Sequence, residues 1–273
     1  MKFGVVVGSF CSADSILNAA KTAEESGLDY FFVTDHYMTP VSNTTVDAWI
    51  ILSAVGAITK KMMIGTCVTP IPFRPPSQLA KIVATVDQVS HGRAILGVGS
   101  GWHEPEFSGY SSWDEEGKIR ARKTREGLEL ILALWNKNEK RVDFKGKYYL
   151  AKGAVLDPKP LQNPHVPLWF GTQGNYMLKV AARMAEGWLP GVPGVSVDDY
   201  RKVILALRQE EKRIGRKDHV KVSCNGTISE LGSNLLEQYE KEGCEIALLT
   251  KSNEKNVNEE IRTLANDVIS SYK

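Results

Sequence analysis

No apolar run in this sequence is long enough to span a membrane. The start offers no secretion signal either, because Ser9, Ser12 and Asp14 break up the first apolar stretch. A cytoplasmic protein is expected. No charge of one sign dominates: 34 basic side chains face 32 acidic ones, for a formal net charge of +2. A nucleic-acid binder needs a basic stripe, and none is present. The four cysteines, Cys11, Cys67, Cys224 and Cys244, form no C-x-x-C pair, so neither a zinc site nor a dithiol motif is indicated. No H-x-x-x-H, Ser-His-Asp or paired-carboxylate pattern occurs, and no metal is expected. Asn43-Thr44-Thr45 and Asn225-Gly226-Thr227 match a glycosylation acceptor, which means little without secretion.

What the sequence does have is a repeated unit: a helix-period stretch closed by glycine, then a short apolar run. "ADSILNAAKTAEESG" leads into "LDYFFV", and "SQLAKIVATVDQVSHG" into "RAILGVG". Gly27 suits a left-handed helix end, and Ser77 suits a helix start. "MLKVAARMAEG" then "WLPG", and "NLLEQYEKEG" then "CEIALLT", repeat the pattern. The apolar runs are continuous rather than alternating, as in parallel strands buried on both faces. Strands are expected at 3–7, 30–34, 63–68, 94–98, 168–171, 187–189, 220–228 and 245–250. Alternating with helices, they fit an α/β fold, a (β/α)8 TIM barrel, with an open doubly wound sheet as the alternative. Residues 99–117 read as a long loop and 141–150 as a β-hairpin around Lys145-Gly146. Both are insertions in one domain spanning 1–273.

Barrel enzymes work at the C-terminal ends of their strands. There the second strand carries Asp35-His36-Tyr37. In extended backbone, Asp35 and His36 point to opposite faces. The fourth strand runs into "GVGSGWHEPEF", which fails the dinucleotide fingerprint because Trp102 stands where a third glycine is needed. Gly99 and Gly101 still permit close approach to the backbone. The fifth strand runs into "GTQGNYM", where Asn175 could cap a helix whose N–H groups suit a phosphate.

Taken in order, "GLDYFFVTDHY", "IGTCVTPIPFRPPSQLAKIVATVDQVSHGRAILGVGSGWHEPEF", "KTREGLELILALW", "FKGKYY", "DPKPLQNPHVPLWFGTQG" and "LKVAARMAEGW" resemble the bacterial luciferase-like superfamily, and within it the coenzyme F420-dependent oxidoreductases. The resemblance covers roughly the first two-thirds of the chain. It implies hydride transfer between coenzyme F420 and a small organic substrate. The alternatives are an FMN-dependent monooxygenase and a non-catalytic flavin-binding protein. It implies His36 as a catalytic residue, and a catalytic glutamate at Glu104, with Glu106 competing for the role. Asp35 is implied as a cofactor contact, with a non-prolyl cis bond at Cys67–Val68, followed by Thr69, behind the cofactor ring. Gly99, Ser100 and Gly101, then Gly171, Thr172, Gln173, Gly174 and Asn175, are implied to hold its ribityl chain and phosphate. Trp102 and Tyr37 would wall the substrate pocket, and Lys179 or Arg74 would meet the anionic tail. Substrate-determining loops are expected at 39–45 and 102–117. A homodimer is expected.

Overall fold

The computed structural model describes residues 1–40, 42, 44–110, 116–190, 195–231, 234–251 and 256–272. The buried apolar runs pair in parallel as β1 Lys2–Val7, β2 Tyr30–Val33, β3 Met63–Thr66, β4 Ala94–Gly99, β5 Leu168–Gly171, β6 Gly187–Leu189, β7 Lys221–Gly226 and β8 Ile246–Lys251. Each strand lies beside its sequence neighbour among these eight. β3 meets β4 through Ile64↔Ala94, and one further pairing, β1 with β8 through Lys2↔Ile246, closes the ring. The sheet is therefore a closed barrel and not an open one.

Strand alternation sorts the core into two clusters. Val6, Tyr30, Phe32, Ile95, Trp169, Leu189, Ile246 and Leu248 fill the barrel. Val5, Val7, Phe31, Val33, Leu96, Val98, Phe170 and Leu249 face the surrounding helices. Both faces of each strand are buried, which accounts for the continuous apolar runs.

The helices are α1 Ala13–Glu25, α2 Ala48–Ile58, α3 Pro76–Val89, α4 Glu104–Gly109, α5 Gly117–Trp135, α6 Asn175–Met184, α7 Val197–Arg213, α8 Ile228–Leu231, α9 Asn234–Lys241 and α10 Val257–Thr263. Ser12 caps α1, accepting from the Ser15 N–H. At its other end Gly27 takes φ +78°, and the Leu28 N–H reaches the Ala23 carbonyl, a Schellman closure.

Four expectations change. Ser77 is not a cap, because α3 already begins at Pro76, whose fixed φ suits the first turn. Part of the 99–117 loop is the helix α4, while 111–115 lie outside the described residues. The seventh strand stops at Gly226, two residues before α8 begins. The hairpin is longer than 141–150, pairing Val142–Lys145 with Leu150–Ala154. Its turn is held from α5 by Glu126, whose carboxylate accepts from the Lys147, Tyr148 and Tyr149 N–H groups.

Candidate active site

The strand ends converge on one mouth. Phe32 faces the barrel interior, so by alternation Thr34 and His36 do too, while Asp35 faces the helices. The contacts agree. Asp35 is 1% exposed. Its carboxylate receives Arg74 Nη1 at 2.8 Å and Nη2 at 3.0 Å, and Thr69 Oγ1 at 2.8 Å. Arg74 also reaches Asp47, the residue that caps α2. Trp49 Nε1 donates to Thr69 Oγ1 at 3.0 Å. Burial alone would lower the Arg74 pKa, but Asp35, Tyr37 and Asp47 raise it above its ordinary value. This is a charge-paired, hydrogen-bonded network of the kind a buried carboxylate requires.

The expected roles of Asp35, Thr69 and Arg74 change accordingly. The Asp35 and Thr69 side chains are turned away from the mouth and bonded to each other, so neither presents a polar atom to a cofactor ring. Arg74 is committed to two carboxylates rather than to an anionic tail. Lys179 is exposed on α6, and with Asn175 and Arg213 it lines a groove of about 290 Å³ between α6 and α7.

His36 sits at the mouth, with its side chain 18% exposed. Its Nδ1 lies 2.9 Å from Glu106 Oε2. Glu106 is 1% exposed, and its Oε1 accepts from the Tyr37 N–H at 2.7 Å and the Met38 N–H at 3.1 Å. One carboxylate thus clasps both the imidazole and the backbone after it. With the carboxylate ionised it only accepts, so a neutral imidazole here carries its hydrogen on Nδ1 and keeps its lone pair on Nε2. Glu104, at the exposed start of α4, is not brought to His36; Glu106 is. The reason is helical spacing: within α4, Glu106 and Phe107 form the buried side and Glu104 the outer one.

The Cys67–Val68 peptide is cis. It separates β3 from the two-residue strand Thr69–Pro70, which pairs with the end of β4. Cys67 and Val68 are half-buried and pack on the interior cluster. Burial pushes the Cys67 thiol up to about 12, so it is neutral at physiological pH. The Val68 methyls occupy the space beside Gly99 and Gly171: a Cβ there would come within 2.6 Å and 2.8 Å of them. At Gly101 (φ +78°) a Cβ would meet the Phe107 ring at 2.2 Å. These glycines admit Val68 and Phe107, a protein contact as well as an opening.

Tyr37 lies between Phe73, with ring centroids 4.9 Å apart, and Tyr110, at 4.7 Å. Burial, with smaller effects from nearby carboxylates, raises its hydroxyl to about 12. Trp102 stands edge-on to His36 at 5.9 Å and is 64% exposed, so it forms the outer rim. Ser100 is half-buried beside it. In the turn after β5, Thr172 is half-buried and its carbonyl accepts Trp188 Nε1 at 2.6 Å, while Gln173, Gly174 and Asn175 are exposed. Gly174, not Asn175, is the N-cap of α6, and no side chain caps the first N–H groups. Of the 39–45 loop, residues 41 and 43 lie outside the described residues. Among the described residues no His, Cys, Asp and Glu cluster could hold a metal. No described helix is long and apolar enough to cross a membrane.

Sequence reasoning left the Glu104–Glu106 choice open. It missed Asp47 and Trp49 as partners of the Asp35 network, and Thr66, whose hydroxyl lies 3.0 Å from that of Thr69. Asp47 carried one available signal: an acidic residue immediately before the apolar run "AWIILSAVGAI" marks a helix cap.

A closed parallel barrel with a histidine–carboxylate pair at its C-terminal mouth has the layout of a barrel enzyme's active site. The family model for luciferase-like monooxygenases matches residues 1–230, and the chain belongs to that family. An uncharacterised protein of Mycobacterium tuberculosis is 31% identical over 223 residues, 75% of this chain and 77% of that one. An F420-dependent glucose-6-phosphate dehydrogenase of Nakamurella multipartita is 32% identical over 209 residues, 74% of this chain but 59% of that enzyme. The crystal structure of a monooxygenase from Streptomyces bottropensis superposes with a TM-score of 0.85 over 100% of both chains at 18% identity, a likeness of fold. The chain is thus an oxidoreductase or monooxygenase of the luciferase-like family.

Proposed function

We propose that this protein is a coenzyme F420-dependent oxidoreductase that interconverts a small alcohol and its carbonyl form. The observation that carries the reading is the His36–Glu106 contact, which leaves a lone pair on Nε2 at the barrel mouth. The residues present fit a deazaflavin. Half-buried Cys67 and Val68 offer an apolar seat for a flat ring, and the uncapped N–H groups at the start of α6 suit a phosphate. Gly99, Ser100, Gly101 and the 171–175 turn would flank the chain between them.

When bound, the deazaflavin supplies two-electron hydride chemistry. The protein supplies position and proton handling. His36 Nε2 takes the hydroxyl proton of the alcohol and returns it in the reverse direction. Glu106 keeps the proton-bearing Nδ1 turned inward. Trp102 and the Tyr37 stack limit access of water from the rim. A homodimer in the cytoplasm is proposed with it, joined through the exposed apolar residues Ile50 and Ile58 of α2; light scattering on the purified chain tests its mass.

The deciding experiment titrates the purified chain with F420 and with FMN by absorbance. Turnover with a panel of alcohols that includes glucose 6-phosphate then follows, with oxygen uptake recorded. F420 binding and alcohol-dependent reduction without oxygen uptake are expected. FMN binding with oxygen consumption would replace this reading with that of a monooxygenase. Binding without turnover over the whole panel would leave a flavin-binding protein.

A further inference from the structure

The β7–β8 side of the mouth carries polar atoms that the chemistry above does not use. Asn225 pairs in register with Leu248, and Thr250 with Val6. Leu248 and Val6 belong to the cluster inside the barrel, and parallel partners in register point the same way. Asn225 and Thr250 therefore point inward near the C-terminal ends of their strands. Asn225 is 7% exposed, which places it out of reach of a glycan despite its acceptor motif. Its Nδ2 donates to the Pro190 carbonyl at 3.3 Å, which fixes the amide with Oδ1 as the other atom. Asn225 Oδ1 and Thr250 Oγ1 are both buried, and no described residue offers either a hydrogen-bond partner.

Buried polar atoms in native proteins are overwhelmingly satisfied, so two orphans on adjacent strands of one cavity call for an explanation. Around the barrel the order is β3, β2, β1, β8, β7. The ring closes through β6, β5 and β4, so β7 stands opposite β3 and these atoms face the Val68 seat across the mouth, with His36 at the end of β2 on one flank. This is the side of the mouth left for a substrate.

We infer that Asn225 Oδ1 and Thr250 Oγ1 form a recognition pair for a substrate that carries an O–H or N–H donor in addition to its reacting group. A polyhydroxylated compound fits; a plain hydrocarbon chain or a monofunctional alcohol leaves the pair unmatched. The inference rests on the proposed oxidoreductase reading for the word substrate, but the binding it predicts does not depend on a cofactor.

The test uses that independence. Saturation-transfer NMR titrations of the cofactor-free chain compare trans-cyclohexane-1,2-diol with its mono-O-methyl ether. The diol is expected to bind about 10- to 100-fold more tightly, the discrimination of one matched buried hydrogen bond. Asn225→Leu keeps the volume, removes the acceptor and is expected to abolish the preference. Thr250→Val, a smaller change, is expected to reduce it severalfold, and it serves if the Leu variant does not fold. F420 affinity, from absorbance titration, is expected to stay within twofold in either variant. Equal affinity of the two probes for the wild type, or no binding of the diol, overturns the inference. So does a variant that loses F420 affinity while keeping the preference, since the pair would then serve the cofactor. Failure of the chain to bind F420 or FMN at all would sink the functional reading and leave the diol preference standing.

Discussion

Replacing Glu106 with glutamine separates the two tasks of that carboxylate. The amide oxygen can still accept from the Tyr37 and Met38 N–H groups, now 2.7 and 3.1 Å from Oε1. Hydrogen bonds to a neutral acceptor are weaker than those to a charged one by about 1 kcal/mol each. The expected cost is about 2 kcal/mol, a fall of about 4–8 °C in Tm. The other end of the side chain changes sign. Where Oε2 accepted from His36 Nδ1, the amide NH2 donates to it. The imidazole must then carry its hydrogen on Nε2, which can no longer take a proton from an alcohol. General-base catalysis is worth about 10²–10⁴-fold, and kcat is expected to fall by that much. Long-range 1H–15N spectra report which ring nitrogen is protonated, with no substrate needed. The tautomer is expected to reverse. Combining Glu106→Gln with His36→Ala is expected to cost little more than His36→Ala alone, because both changes remove one function. A kcat within threefold of wild type, an unchanged tautomer, or losses that multiply in the double variant would refute the reasoning.

Gly97→Ala is expected to yield no soluble protein, because its Cβ would fall 1.7 Å from the Thr66 carbonyl oxygen; expression and circular dichroism check this. Gly171→Ala displaces Val68 and is expected to weaken F420 binding at least tenfold with only a modest change in Tm, read by titration and thermal melting. Glu211 is held below its ordinary pKa: burial opposes this, but the Val220 N–H, His219 and Arg208 outweigh it. Its stabilising contribution is therefore present above the unfolded value of about 4.3 and disappears as pH falls through the lower folded value. Glu211→Gln is expected to flatten the acid-unfolding curve below that pH relative to wild type. The native Cys67 thiol, pushed up to about 12 by burial, is expected to resist iodoacetamide at pH 8 and to react on unfolding, as mass spectrometry would show.

The barrel was legible because burial on both faces leaves a mark in every strand, as in Tyr30–Val33 and Ala94–Gly99. The opposition of Asp35 and His36 was equally readable, since it follows from the two-residue period of a strand. What eluded the sequence depends on contacts distant along the chain. Glu104 and Glu106 are equivalent by composition, and only the packing of Phe107 against Phe73 decides which turns inward. Arg74 had two plausible employers, a ligand and a carboxylate, and proximity to Asp47 settled the matter across 27 residues. Asn225 was noticed only for its acceptor motif, although Val222 and Cys224 in the same expected strand already placed it on the other side of β7.

The clasp of Glu106 on His36 has a practical consequence for engineering. The segment after β4 carries Trp102, proposed to limit access at the rim, and is a natural target for exchange between relatives when new substrates are sought. Here it is not an independent module. Grafting a foreign segment over 102–110 would exchange the rim and remove the acceptor that sets the histidine tautomer in the same operation. A chimera would then lose turnover on every substrate, and a screen would misread the result as a failure of specificity. Grafts that carry a glutamate in register with position 106 and an aromatic residue after it are the ones that can be judged on the substrates they accept.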